Sequence, residues 1–238
     1  MTPEDIGIVL MPGIDGTGIF FEPLIRALPP NIPVSVITYP PNAMLSLEGH
    51  ARFVMEHLPA KSVIAVAESF SGLVGLELLH SRPREVRGIV FSAAFARPLH
   101  RKLVHGLSLV PGITSTIPKI PVSVIGRILF GPYFDKELAS MLNRGIPQID
   151  VRGLKHRADI IVDGYPLLDE RFAIPCLYLQ ATRDRVVPHS AMSWFAAHFD
   201  HFECARVDAP HCLLQTRPVE CSARIVDFIE TLRVVRCK

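Results

Sequence analysis

The chain has 238 residues, 49% of them hydrophobic, with 25 Lys and Arg against 23 Asp and Glu, a formal net charge of +2. That balance gives no global argument for a nucleic-acid partner, and the length suits one α/β domain with an insertion rather than two full domains. Mean hydropathy is +0.30, enough apolar material for a large core. No low-complexity tract, internal repeat or long charge run is present.

The N-terminal MTPEDIGIVL has neither a basic n-region nor a cleavage site, so no signal peptide is expected. No apolar run reaches the ~18 residues a spanning helix needs, so no transmembrane segment is expected either. The five cysteines, Cys176, Cys204, Cys212, Cys221 and Cys237, have no CxxC or other metal-ligand spacing. They read as free thiols of a reducing cytoplasm, with no metal site and no cofactor implied.

Ile6 to Met11 reads as a first buried strand, running into Pro12-Gly13-Ile14-Asp15-Gly16-Thr17-Gly18 and then a helix from about Phe20 to Leu28. Three readings compete for this Gly-rich loop. Phosphate cradling is one, but glycines at 13, 16 and 18 reverse the G-x-G-x-x-G spacing. A backbone donor to a developing oxyanion is the second. An ordinary strand–helix turn rich in Gly and Asp is the third, and the loop does not separate them unaided.

Val34 to Thr38 reads as a second strand, bracketed by prolines. Ser46 to Leu58 reads as an amphipathic helix with Ser46 as its N-cap, and His50 and His57 read as surface or boundary residues. Val63 to Ala67 is a short β-branched apolar run of the kind a buried parallel strand shows. It turns through Glu68-Ser69-Phe70-Ser71-Gly72 and leaves as a helix carrying Leu73, Leu76 and Leu79. A Ser flanked two positions either side by small residues, at a strand-to-helix turn, is the pattern of a nucleophile elbow. A Ser that caps the helix is the plainer alternative, and the motif by itself leaves both open.

Val86 to Phe91 is the next strand. From about Arg97 to Glu170 the alternation stops, broken by Pro98, Pro111, Pro118, Pro121, Pro132, Pro147 and Pro166, and Leu103 to Phe134 is apolar with little charge. Such a stretch is too long for a plain loop. It reads as a small helical cap at 97–170 inserted into a core of 1–96 and 171–238; a helical subdomain with no role at the site is the alternative. Alternation resumes with Ile174 to Gln180, a helix near His189 to Phe199, a last strand from Phe202 to Val207, and a final helix opened by Pro218. The expectation is an α/β protein with a mostly parallel, doubly wound sheet of about six strands.

Four features fall at carboxyl ends of the expected strands, where such sheets place ligands: the Gly13–Gly18 loop, Ser69, Asp184 and His211. Serine needs a base to become a nucleophile, and imidazole can take and return its proton near neutrality. The imidazole in turn needs a carboxylate to fix its tautomer. His211 and Asp184 are the candidates, with backbone N–H groups of Ile14 and Phe70 as oxyanion donors. Asp159, Asp163 and Asp169 read as solvated, Glu68 as a maker of structural hydrogen bonds, and Cys212 as a small packing residue.

Carried by Pro12-Gly13-Ile14-Asp15-Gly16, Ala67-Glu68-Ser69-Phe70-Ser71-Gly72, Arg183-Asp184-Arg185-Val186-Val187-Pro188 and Pro210-His211, the chain resembles the α/β-hydrolase superfamily. The order Ser, Asp, His is that family's order. Ala67 and Ser71 stand where Gly is usual, and the sheet resembles a shortened version of the family's. The resemblance implies a serine hydrolase acting on a carboxylic ester or thioester, and the apolar cap suggests that its acyl group is hydrophobic. Acyl transfer to an alcohol, and a ligand-binding protein on the same scaffold, are the alternatives. Arg82, Arg84, Arg87, Arg97, Arg101 and Lys102, against Glu85 alone, with Arg152, Lys155 and Arg157, would form a basic rim suited to an acyl carrier protein or a CoA-linked substrate. Solvated surface arginines are the plainer reading of the same residues.

Overall fold

The computed structural model describes residues 6–59, 61–99 and 121–235. Its elements in chain order are β1 (Gly7–Met11), α1 (Glu22–Ala27), β2 (Val34–Val36), α2 (Leu47–Glu56), β3 (Val63–Glu68), α3 (Ser71–His80), β4 (Val86–Ser92), α4 (Val122–Phe130), α5 (Lys136–Gly145), α6 (Val151–Asp163), β5 (Cys176–Ala181), α7 (Ala191–His198), β6 (Phe202–Val207), α8 (Leu213–Thr216) and α9 (Pro218–Val235). The six strands form one sheet in the order β2-β1-β3-β4-β5-β6, and every neighbouring pair is parallel.

Period-two alternation in these short apolar runs supplies both faces of the sheet. Val9, Met11, Ala65, Ala67, Ile89, Phe91 and Tyr178 pack with α2, α3, α6 and α7 on one face. Ile8, Leu10, Ile64, Val66, Val90, Leu177 and Leu179 pack with α1, α8 and α9 on the other. The chain leaves β1 outward to β2 and returns past β1 to β3, so the strand order reverses between β1 and β3. At such a switch point the loops after the two strands diverge and leave a crevice. Met11 is paired with Ala67, which brings the Pro12–Gly18 loop level with Ser69 at that crevice.

Two elements are shorter than the sequence suggests. The expected helix from Phe20 opens as a 3-10 turn, Ile19–Phe21, and becomes α-helical only at Glu22, where Pro23 fits the first turn. β2 ends at Val36, because the residues beyond it serve the Gly-rich loop: Thr38 Oγ1 donates to Thr17 O at 3.0 Å and Tyr39 N to Gly16 O at 2.9 Å. α2 has the expected cap, with Ser46 Oγ accepting from Gly49 N at 3.1 Å. His50, expected at the surface or a boundary, is instead buried at 1% exposure with its ring edge-on to Tyr39 and Phe70.

Between β4 and β5 the described residues form α4, α5 and α6, the last two capped by Asp135 and Asp150. The apolar 103–120 segment, with Arg101, Lys102 and Cys237, lies outside the described residues. α5 meets the 3-10 turn that follows the Gly-rich loop through Gly145, where a Cβ would lie 2.6 Å from Phe20 Cζ. The ion pairs of Arg26 with Glu137 and of Arg144 with Glu22 join α5 to α1. Their side chains are about half exposed, and such pairs are worth at most about 1 kcal/mol, so the apolar contact does more to hold α5.

Close approach of α3 to the sheet requires glycine at 72, where a Cβ would sit 2.5 Å from Ala94 Cβ. Alanine would favour the helix by about 1 kcal/mol, and overpacking costs about 1–3 kcal/mol. Gly72→Ala is therefore expected to lower unfolding free energy, by up to about 2 kcal/mol, in urea titrations. An unchanged midpoint would show that α3 can shift away from Ala94 without loss.

Candidate active site

β3 ends at Glu68, and the chain turns sharply into α3 through Ser69, whose φ is +49°. A non-glycine residue in this region is strained, and the strain holds only where the surroundings fix it. Here Ser69 N donates to Ser92 O at 2.9 Å and Gly72 N to Ser69 O at 2.9 Å. Buried Ala67 and Ser71 flank the turn, small enough for it to close. The result lifts Ser69 Oγ off the sheet at the N-terminal end of α3.

Three of the expected side chains meet. His211 Nε2 is 2.9 Å from Ser69 Oγ, and His211 Nδ1 is 2.8 Å from Asp184 Oδ2. Ser69 follows β3, Asp184 follows β5 and His211 follows β6. The partners assign the tautomer: Nδ1–H donates to the carboxylate and Nε2 accepts from the hydroxyl. Asp184 Oδ1 accepts from Val186 N at 2.8 Å and Val187 N at 3.0 Å, which leaves Oδ2 for the imidazole. Burial alone would raise the Asp184 pKa. The His211 hydrogen bond and charge and the two amides outweigh it, holding the carboxyl below its ordinary value.

The loop carrying His211 is fixed at Asp208. Arg183 bonds both carboxylate oxygens of Asp208, at 2.6 and 2.7 Å. The Asp208 carbonyl accepts from Arg217 Nε at 3.1 Å and from Tyr133 Oη at 3.1 Å. Arg217 also stacks over the Tyr133 ring, 4.3 Å from its centroid. Tyr133 comes from the segment inserted between β4 and β5, so the insertion touches the loop that presents the imidazole.

Ile14 and Phe70 lie on the two sides of the crevice. Neither backbone N–H has an acceptor among the described residues. Gly13 lies against the nucleophile turn: a Cβ there would be 3.9 Å from Ser69 Cβ.

Other groups fall into place around this set. Glu68 is buried and accepts from Gln215 Nε2 at 2.9 Å, the structural bond expected of it. Desolvation pushes its pKa up to about 7, with the Asp15 charge adding to it and Gln215 opposing it. The Cys212 thiol, next to His211, is pushed well above its ordinary value by desolvation and by the charges of Glu68, Asp184 and Asp15. Asp159, Asp163 and Asp169 are exposed. Arg157 is the correction. Expected on a basic rim, it is buried at 3% exposure and bonds the Gly-rich loop, Nε to Ile14 O at 2.7 Å and Nη2 to Asp15 O at 3.0 Å. Nothing in the sequence separates this arginine from its exposed neighbours Arg152 and Lys155, since the loop it reaches is 142 residues away. Among the described residues no group of three or more His, Cys, Asp or Glu could hold a metal ion, and no helix is long and apolar enough to cross a membrane.

The buried Glu68 makes a pH prediction. Its folded pKa lies above the value near 4.5 of the unfolded chain. Its contribution to stability is therefore complete below about pH 4.5 and is lost as pH rises through about 7. Glu68→Gln is expected to gain stability over the wild type between pH 4.5 and 8, by at most about 3 kcal/mol in urea unfolding. Parallel pH dependences for the two proteins would contradict this.

No protein-family model matches the chain. A 61-residue stretch, 26% of the chain, is 36% identical to a "Probable alcohol acetyltransferase" of Saccharomyces cerevisiae and spans only 18% of that relative's length. Among solved structures, a hydrolase from Oleispira antarctica aligns over 95% of this chain and 91% of its own, at TM-score 0.76 and 17% identity. The enol-lactonase from Burkholderia xenovorans LB400 aligns over 95% and 92%, at 0.77 and 15%. An esterase from Exiguobacterium antarcticum aligns over 94% and 91%, at 0.76 and 13%. At such identities the likeness carries architecture, and the architecture shared along nearly the whole chain is the α/β-hydrolase fold.

Proposed function

We propose that the chain is a serine hydrolase that cleaves a carboxylic ester or thioester of a hydrophobic acyl group through an acyl-Ser69 intermediate. The observation that carries this reading is the unbroken chain of hydrogen bonds from Ser69 Oγ through His211 to Asp184, at 2.9 and 2.8 Å. In this reading His211 takes the Ser69 proton as Oγ attacks the carbonyl carbon, and Asp184 stabilises the imidazolium. The tetrahedral oxyanion is held by the Ile14 and Phe70 N–H groups, each worth about 3 kcal/mol in the transition state. Collapse expels the alcohol or thiol, which takes the proton from His211. Water, deprotonated by the same imidazole, then releases the acid and restores Ser69.

The hydrophobic acyl group is supported by the surroundings of Cys212, beside His211, which packs against the buried cluster of Phe130, Leu138, Met141 and Leu142. We assign the 97–170 segment the part of a cap, on the strength of the Tyr133 and Arg157 contacts with the loops that carry His211 and Ile14. A cytoplasmic setting belongs to the same proposal, and Cys176, Cys204, Cys212 and Cys221 are free thiols. An acyl carrier protein or CoA-linked substrate has weaker support, since the basic rim loses Arg157. The second reading is acyl transfer from Ser69 to an alcohol in place of water. It is favoured by the partial match to the yeast relative described as a "Probable alcohol acetyltransferase".

Hydrolysis of p-nitrophenyl esters with acyl chains of roughly two to sixteen carbons tests the proposal, and added alcohol reports the partition between hydrolysis and transfer. Ser69→Ala is expected to abolish turnover and covalent labelling by a serine-directed phosphonate. Asp184→Asn is expected to lower kcat by roughly 10³–10⁴-fold, because an amide no longer fixes the Nδ1–H tautomer. Near-full activity in Asp184→Asn would mean that another carboxylate orients His211.

A further inference from the structure

The loop after β1 is held by its carbonyl oxygens. Pro12 O accepts from Ser71 Oγ. Gly13 O accepts from Gly16 N at 3.1 Å, and Gly16 O from Tyr39 N at 2.9 Å. Ile14 O and Asp15 O both accept from the Arg157 guanidinium, at 2.7 and 3.0 Å. Every carbonyl from Pro12 to Gly16 thus has a donor, and three of the five are held by side chains from distant parts of the chain. N–H and C=O point opposite ways across a trans peptide, and no described peptide bond is cis. With Gly13 O turned back on Gly16 N, the Ile14 N–H of the same peptide unit faces away from the loop's own turn, and it is left without an acceptor among the described residues.

The side-chain anchors are buried. Ser71 is 0% exposed, and Tyr39 and Arg157 are 3% exposed. Ser71 has one hydroxyl proton and gives it to Pro12 O, so Tyr39 Oη, 2.6 Å away, is the donor to Ser71 Oγ. Arg157 comes from α6 and lies flat on Gly16, where a Cβ would be 2.8 Å from the guanidinium carbon and φ is +75°. Gly16 fits both demands, the left-handed backbone and the close guanidinium. Ser71 stands where the nucleophile-elbow pattern usually has Gly. Its hydroxyl joins the turn that carries Ser69 to the loop that carries Ile14.

We propose that Ser71, oriented by Tyr39, and Arg157 are positioning residues that hold the Ile14 N–H in place for the oxyanion. The inference rests on the proposed serine-hydrolase reading. An oxyanion donor acts fully only if it is placed before charge develops, and an error of about 1 Å in such placement can lower the rate by about 10²-fold. None of the three residues touches the reacting atoms in this account; each acts through the loop. Arg157 also makes the inserted helix α6 part of the catalytic support.

The experiment compares an oxoester with the matching thionoester, whose carbonyl sulfur accepts hydrogen bonds poorly. The variants are Ser71→Gly, Tyr39→Phe, Arg157→Gln and Arg157→Lys. Rates are expressed per site titratable by a serine-directed phosphonate. For Ser71→Gly and Arg157→Gln, kcat on the oxoester is expected to fall roughly 10–100-fold with little change in KM. The thionoester rate is expected to fall far less, so the oxoester-to-thionoester ratio narrows. Arg157→Lys should recover part of the ratio, and Tyr39→Phe should show a smaller loss than Ser71→Gly. A general loosening of the fold would lower the titratable fraction and leave the ratio per site unchanged. An unchanged ratio in Ser71→Gly, which keeps a small residue in the tight turn and is expected to fold, overturns the inference. A wild type that neither turns over esters nor takes the phosphonate overturns the proposed function itself, and this inference with it.

Discussion

The site depends on one strained turn. Ser69 has φ +49° between a strand buried on both faces and a helix pressed against that strand. The sheet cannot yield, because β3 lies between β1 and β4 and its core residues are closed off from solvent. The helix is held close by Gly72 and Gly75, where Cβ atoms would meet Ala94 at 2.5 Å and Ile89 at 2.9 Å. Strain of this kind persists only where the surroundings over-determine it, and here it turns the hydroxyl into the crevice. The strand order then places the other groups. The Gly-rich loop stands on one side at the reversal between β1 and β3, and Asp184 and His211 arrive from β5 and β6 on the other.

Around that turn the polar groups form two separate networks. One fixes the imidazole: Val186 and Val187 amides on Asp184, Arg183 and Arg217 on Asp208, and Tyr133 on the Asp208 carbonyl. The other fixes the Gly-rich loop through Ser71, Tyr39 and Arg157. The insertion between β4 and β5 contributes to both, Tyr133 to the first and Arg157 to the second. Buried bonds such as those of Arg157 matter more than the exposed pairs on α1 and α5, because no water stands ready to replace them.

Legibility from sequence followed the range of the interaction. The central strands were readable because residues buried on both faces form short continuous apolar runs, and the alternation of strands with helices leads to a parallel sheet. Ser69, Asp184 and His211 were readable as candidates because each follows an expected strand, where chain order and topology constrain what can meet. Short segments that bend to serve a loop were less readable: β2 ends at Val36 because Thr38 and Tyr39 turn to bind Thr17 and Gly16. Residues acting across long separations were not readable at all. His50 looks like any polar residue of an amphipathic helix until Tyr39 and Phe70 close over it. Arg157 looks like a surface charge, because its partners lie at Ile14 and Asp15 and no local pattern marks an arginine that reaches so far.

The central claim is that Ser69 forms a covalent acyl intermediate. Its most direct test is a rapid acid quench during turnover of a p-nitrophenyl ester, followed by intact-mass and peptide mass spectrometry. The account predicts one acyl group per chain, located on Ser69 and lost when the quench is delayed past substrate exhaustion. Turnover with no acylated species, or an acyl group on Cys212 in place of Ser69, would contradict it.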